Sequence, residues 1–414
     1  MRLLRFLRYR VIKKLVACSR LQNSSGLSEC LVWPPLRHKE EARWLSRWLS
    51  WYIPPQVQLD ITVPIEGNKE NLIRTALSQN STFASNVTLV QGPITAQHFA
   101  TLLLRRATIS ESIQALWRFN SQLQIIDNRF WDVEESLAFE HIFRTQPTPA
   151  LMTLRARLAE ISVTNYRQLF QSYTGSRRAF IFGTGPSLQK ALAVEFQPDD
   201  LTIACNSMVK DRELLAHIRP KILTFADQVF HFGPSNYAAA FRRDALQMLQ
   251  EYRCKCIMPL DRAMLFALHH PEIAEYLIAI PFGSTLNFPT PEHFFVQPTE
   301  NIMTLFMVPV ASALAKEVYF CGADGRQPNE RYFWRHDSKA QYHSLMDDAF
   351  EWHPSFFRDR RMGTYYDKHC ETLERQLRYG ESQGIRYMSL TPSQIPTLAT
   401  RYDGPRPTDS TSSR

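Results

Sequence analysis

The sequence predicts an α/β protein: a Rossmann-like, mostly parallel sheet with helices on both faces, plus a smaller N-terminal α/β domain. Three observations predict it. The apolar run Ala179–Phe182 leads into Gly183-Thr-Gly-Pro-Ser-Leu188, the order of parts of a strand, a glycine turn and a helix start. Leu201–Asn206 and Lys221–Asp227 then read as two further buried strands, each ending in a polar residue. At 414 residues the chain exceeds a typical single core, so two domains are expected.

In the corner, Gly183 and Gly185 let the backbone pass close to a ligand, and Pro186 with Ser187 opens a helix at Leu188. Backbone N–H groups in such a corner point at a phosphate. The pattern is not the dinucleotide fingerprint, because Leu188 stands where a third glycine or alanine belongs, and it lacks the Lys-Ser/Thr of a P-loop. An ordinary strand-to-helix turn would use the same residues. Successive strand ends in Gly183, Asn206 and Asp227 share one edge of a parallel sheet, the edge at which α/β proteins bind ligands, and so predict a nucleotide site.

Residues 1–56 hold a basic amphipathic helix and a Trp- and Pro-rich stretch, from residue 20, that reads as irregular or short helical structure. In residues 2–16 the leucines and Val11 share one side and Arg2, Arg5, Arg8, Arg10 and Lys13 most of the other, the pattern of a helix lying on an anionic membrane surface. A basic helix packed on its own domain would read the same way. Residues 57–147 form the small α/β domain, with strands at Gln58–Pro64, Val87–Gln91 and Gln122–Asp127 and a helix at Lys69–Ser78. A long helical pattern from Thr148 to Tyr173 joins it to the larger domain, 148–403, and 404–414 is a polar tail expected to be disordered.

Within the larger domain, Asn236–Tyr252 reads as a helix, Cys256–Pro259 and Tyr276–Pro281 as strands, and the proline-rich Phe282–Thr299 as a loop able to cover a ligand. Ile302–Ala315 is apolar but, at about 14 residues, too short for the roughly 20 of a membrane span, and is read as a buried helix. The strand Glu317–Cys321 ends in Gly322-Ala-Asp324, and a last helix running to Gln383 precedes the strand Arg386–Leu390.

The net charge of +8 suits an anionic ligand or membrane surface. Lys and Arg are spread along the chain without a nucleic-acid-binding motif, so no nucleic acid is expected as partner. Seven cysteines give neither a zinc framework nor an even disulfide set, which points to a reducing cytoplasm, with peripheral attachment to the inner membrane face through residues 2–16. His336, His343 and His353 are spaced by seven and ten residues, unlike ligands on one helical face, and no metal site is predicted. The region 329–361 is dense in His, Tyr, Trp, Phe and Arg, as a sugar–phosphate site or an aromatic core would be.

From about residue 150 to 395 the chain resembles the superfamily that unites the motility accessory factor family, hydroxymethylpterin pyrophosphokinase-like proteins and, more distantly, the bacterial sialyltransferases that use CMP-sugars. The resemblance is carried by Gly183-Thr-Gly-Pro-Ser-Leu188, Cys205-Asn206, Phe225-Ala-Asp227, Tyr319-Phe-Cys-Gly-Ala-Asp324 and Tyr365-Tyr-Asp-Lys-His369. Two departures leave the nucleotide open: Thr184 stands where the sialyltransferases usually carry Asn, and Asp227 where they carry Asn-Pro. The resemblance implies a glycosyltransferase moving a sugar, such as a sialic-acid-like or other acidic one, from a nucleotide-sugar donor to a glycan, polysaccharide or lipid-linked acceptor. It implies inversion, with His369, at the opening of the last helix, as base and Tyr365 or Tyr366 donating to the departing phosphate; His336 is the alternative base. Gly183, Thr184, Gly185, Pro186, Ser187, Asn206, Asp227, Thr304, Gly322 and Asp324 would line the donor site, with no cofactor required. Two alternatives stand beside it. One is pyrophosphoryl transfer from ATP with Mg2+ on acids such as Asp227 and Asp324; the other is a non-catalytic glycan- or nucleotide-binding scaffold.

Overall fold

The computed structural model describes residues 29–54, 60–66, 70–77, 87–91, 94, 101–104, 110, 114, 122–125, 149–327, 330, 333, 335–353 and 361–402. The amphipathic segment 2–16, the tail 404–414, Tyr332, Trp334 and residues 354–358 lie outside them. The chain divides into two compact units. One comprises residues 1–155, 228–235 and 348–359; the other comprises 156–227, 236–347 and 360–414. Residues 228–235 and 348–359, expected in the larger domain, thus belong to the first unit.

The first unit holds β1 (Glu29–Trp33), α1 (Lys39–Tyr52), β2 (Asp60–Ile65), α2 (Glu70–Leu77), β3 (Val87–Gln91), β4 (Thr101–Leu104) and β5 (Gln122–Ile125). The strands form a parallel sheet in the order β3-β2-β1-β4-β5. The Trp- and Pro-rich stretch, expected as irregular or short helical structure, therefore supplies the central strand as well as a four-turn helix. The reason lies in burial: Cys30, Leu31 and Val32 are fully enclosed, a continuous apolar run typical of a strand covered on both faces. In α1, Ala42, Leu45, Trp48, Leu49 and Tyr52 recur at helical spacing and are buried. Trp44 stacks on Trp352 with centroids 6.1 Å apart, and the Arg47 guanidinium lies 4.5 Å from the Trp352 ring centroid. This part of the aromatic-rich region is packing within the first unit.

The helix α3 (Pro149–Tyr173) ends at Gly175, whose φ of +81° suits the left-handed position after a helix. The second unit then follows with β6 (Ser176–Phe182), β7 (Leu201–Cys205), α4 (Arg212–Ile218), β8 (Ile222–Thr224), α5 (Asn236–Tyr252), β9 (Lys255–Met258), α6 (Leu260–His269), β10 (Leu277–Ala279), α7 (Val308–Leu314) and β11 (Ala315–Cys321). It closes with α8 (Met346–Trp352), which runs across the boundary between the units, α9 (Met362–Ser382), β12 (Arg386–Ser389) and α10 (Pro396–Ala399). Its seven strands are all parallel, in the order β10-β9-β8-β7-β6-β11-β12. Strand order reverses at β6, which has β7 on one side and β11 on the other. In an open α/β sheet that reversal opens a crevice at the carboxyl ends of the strands.

Two expected elements differ in detail. Pro186 opens a 3-10 helix (Pro186–Ala193) rather than an α-helix. The apolar segment begins as a π-helix (Met303–Met307) before α7. Pro309 explains the second: it has no N–H to give to the preceding turn, and the Gln376 side chain donates instead to the Thr304 carbonyl at 2.7 Å. The proline-rich loop 282–299 is held by hydrogen bonds and ring packing. Tyr166 Oη donates to the Pro289 carbonyl at 2.6 Å, Asn287 Nδ2 donates to the carbonyls of His293 and Phe295, and Phe288 packs on Tyr379.

Candidate functional site

At the carboxyl ends of β6 and β11 the backbone crosses itself. Gly183 N–H donates to the Cys321 carbonyl and Gly185 N–H to the Gly322 carbonyl, both at 2.8 Å. A Cβ at Gly183 would stand 2.5 Å from the Gly322 carbonyl oxygen, and Gly322, at φ +71°, faces Gly183 as closely. These glycines serve an approach of strand end to strand end. The anion position expected at the corner is filled by the protein itself: Ser187 N–H donates to the Asp324 carboxylate at 3.1 and 3.2 Å, and Ser187 Oγ donates to it at 2.9 Å. Leu188 N–H is also spent, on the Gly185 carbonyl at 3.0 Å. The corner's amides therefore hold a carboxylate and three carbonyls, which corrects the expectation that they point at a phosphate. Burial raises the Asp324 carboxyl above its ordinary value, opposed by the bonds from Ser187.

Thr184, between the two glycines, is enclosed, and its Oγ1 lies 2.7 Å from His336 Nδ1. Its carbonyl accepts from Asp337 N–H at 2.7 Å. Residues 337–342 run across the neighbouring strand ends: Gln189 Nε2 donates to Asp337 and Asp211, Ser207 Oγ donates to the Ala340 carbonyl, and Lys210 Nζ to the carbonyls of Ser338 and Gln341. His336 keeps some surface as a residue, but its ring is enclosed, and burial with His343 nearby lowers its pKa to about 4. One strand further along, Asn206 adopts φ +49°, and its Oδ1 is buried without a hydrogen-bond partner among the described residues. Thr224 Oγ1, on the neighbouring strand end, is buried and unpartnered in the same sense. Asp227 follows shortly after β8 and acts electrostatically on Tyr237.

The second cluster sits on α9. His369 lies mid-helix and buried rather than at the helix opening, because the helix begins at Met362. Phe333 gathers the cluster: its ring centroid is 5.0 Å from Tyr365, 5.6 Å from Tyr366 and 5.5 Å from His369. Burial lowers the His369 pKa to about 3 and raises that of Tyr366. Tyr365 Oη donates to the Glu300 carbonyl, so its proton is committed to the backbone. Thr304 Oγ1 is tied to Thr299 Oγ1 at 2.9 Å and to the Asn301 carbonyl at 3.2 Å. A Cβ on Gly325 would meet Tyr366 Oη at 2.7 Å, so the loop that carries Gly322 and Asp324 joins the two clusters.

Of the residues expected at the site, Thr184, Ser187, Gly322, Asp324 and His336 come together, and Tyr365, Tyr366 and His369 form the second group. Asp227 and Asp324 are not joined in any group of three or more His, Cys, Asp or Glu side chains fit to hold a metal among the described residues. Gln189, Asp337 and Gln376 were missed. Only Gln376 left a sequence signal, since Pro309 in an apolar helical stretch requires a substitute donor.

No protein-family model and no curated protein matches the chain. Solved structures that resemble part of it are Cst-II sialyltransferases. A variant holding CMP matches at 18% identity and TM-score 0.31, over 54% of this chain and 84% of that one. A complex with a trisaccharide acceptor and CMP matches at 18% and 0.30, over 54% and 84%. The Campylobacter jejuni enzyme with the substrate analogue CMP-3FNeuAc matches at 16% and 0.30, over the same shares. At these scores the fold assignment stands on the sheet topology itself.

Proposed function

We propose that this chain is a glycosyltransferase whose nucleotide-sugar donor binds at the carboxyl edge of the seven-stranded sheet. The observation that carries the reading is Asn206: a non-glycine residue held at φ +49° beside the point of strand reversal, with a buried amide oxygen that no described residue satisfies. Backbone strain and an unpaired buried acceptor are costs a fold keeps where a ligand uses them. Asn206, Thr224 and Thr304 would contact the nucleotide, and Asp324 keeps its phosphate out of the glycine corner. The acceptor is a glycan or a lipid-linked saccharide.

The reaction is inversion by single displacement. An acceptor hydroxyl oxygen bonds to the anomeric carbon, the bond from that carbon to the phosphate oxygen breaks, and the hydroxyl proton passes to His369. His369 is neutral at pH 7, but the same burial weakens it as a proton acceptor, so the mechanism requires that substrate contact relieve that burial and raise its pKa. Tyr366 suits the leaving phosphate better than Tyr365, whose hydroxyl serves Glu300. The test is a screen of CMP-, UDP- and GDP-sugars with glycan acceptors, with and without Mg2+. Metal-independent transfer from one donor is expected, and His369→Ala should lower it about 10²- to 10⁴-fold while nucleotide affinity holds. Transfer by His369→Ala at the parent rate would remove His369 from the mechanism.

A further inference from the structure

The Thr184–His336 contact pairs a hydroxyl with an imidazole on the central strand's end. Its geometry bears on where the imidazole proton sits. The Thr184 side chain is enclosed, and among the described residues His336 Nδ1, at 2.7 Å, is the one side-chain or backbone group hydrogen-bonded to its hydroxyl. A buried hydroxyl proton left without an acceptor is unfavourable, because its bond to water is lost and not replaced. The hydroxyl proton is satisfied when Nδ1 offers a lone pair, and a neutral imidazole with a lone pair on Nδ1 carries its proton on Nε2. The arrangement is braced on both sides. Asp337 N–H donates to the Thr184 carbonyl at 2.7 Å, and the Asp337 carboxylate accepts from Gln189 Nε2 at 3.2 Å and from Lys339 N–H at 2.8 Å.

We infer that Thr184 is a positioning residue that fixes His336 in the Nε2-protonated tautomer, making His336 a neutral hydrogen-bond donor and not a base. Enclosure of the ring agrees, since it keeps the imidazole uncharged across the physiological range. On the nucleotide-site reading above, such a donor stabilises charge that develops on a departing phosphate without itself carrying a charge.

The experiment is 15N NMR of the full chain labelled at histidine, with His336→Gln used to assign the resonances. Parent protein should show a pyrrole-like Nε2 and a pyridine-like Nδ1 at pH 7. Thr184→Val, which keeps the shape and removes the hydroxyl, should give a mixed or reversed pattern, and Thr184→Ser should restore the parent pattern. A parent spectrum with the proton on Nδ1, or a Thr184→Val spectrum identical to the parent's, would overturn the inference. Added CMP, UDP, GDP or ATP should shift the His336 resonances. The expected tautomer with no response to any of the four would refute the nucleotide site and leave the tautomer lock intact.

Discussion

His369 and His336 are neutral imidazoles held well below the ordinary histidine pKa by burial, to about 3 and about 4. The unfolded chain therefore binds more protons than the folded one between about pH 4 and pH 6.5, so stability rises with pH across that window and falls on acidification. Each histidine contributes up to about 1.4 kcal/mol per pH unit there. Melting temperatures at pH 7 and pH 5 should show the fall, and His369→Phe, which keeps a ring beside Phe333, should flatten it. An unchanged slope would mean that His369 is exposed in solution. At the corner, a side chain on Gly185 would collide with the Asp324 carboxylate and the Gly322 carbonyl. Gly322→Ala combines such a collision with a left-handed φ and should cost at least about 2 kcal/mol by chemical denaturation.

At the scale of elements, the π-turn at Met303–Met307 depends on the Gln376 side chain of α9, 72 residues beyond Thr304 in sequence. Gln376→Met should cost about 1–3 kcal/mol, because it leaves the Thr304 carbonyl buried without its donor. Adding Pro309→Ala returns a backbone N–H to that turn and should recover most of the loss. Hydrogen exchange over residues 303–314 should report both changes, and equal protection in parent and Gln376→Met would contradict the role. The strands of the second unit were legible because their apolar runs are short, continuous and bounded by polar or glycine ends. The central strand of the first unit was not, because Glu29–Trp33 lies against the Trp- and Pro-rich Pro34–Tyr52, whose composition suggests an irregular wrap and whose helical spacing declares itself only once α1 is buried. At the site, the residue types at strand ends were legible. What they contact was not: nothing local in sequence says that Asp324 occupies the corner or that His336 reaches Thr184, since each pairing spans well over a hundred residues.

For the whole molecule, the sheet order places one crevice in the second unit, and the basic, one-sided sequence pattern of residues 2–16 motivates a test of attachment to an anionic surface. Among the described residues no helix is long and apolar enough to cross a membrane. The intact chain should sediment with anionic liposomes at low salt, and a chain lacking residues 2–16 should stay in solution. Equal sedimentation of the two would discard surface attachment through that segment. The nucleotide site itself is tested most directly by thermal unfolding with CMP, UDP, GDP or ATP, in parent protein and in Asn206→Gly, which removes the amide and tolerates φ +49° without strain. At about 100 times its dissociation constant, one nucleotide should stabilise the parent by roughly 2.7 kcal/mol and leave Asn206→Gly nearly unmoved. Stabilisation by none of the four, or equal stabilisation of both proteins, would contradict a nucleotide site at this sheet edge.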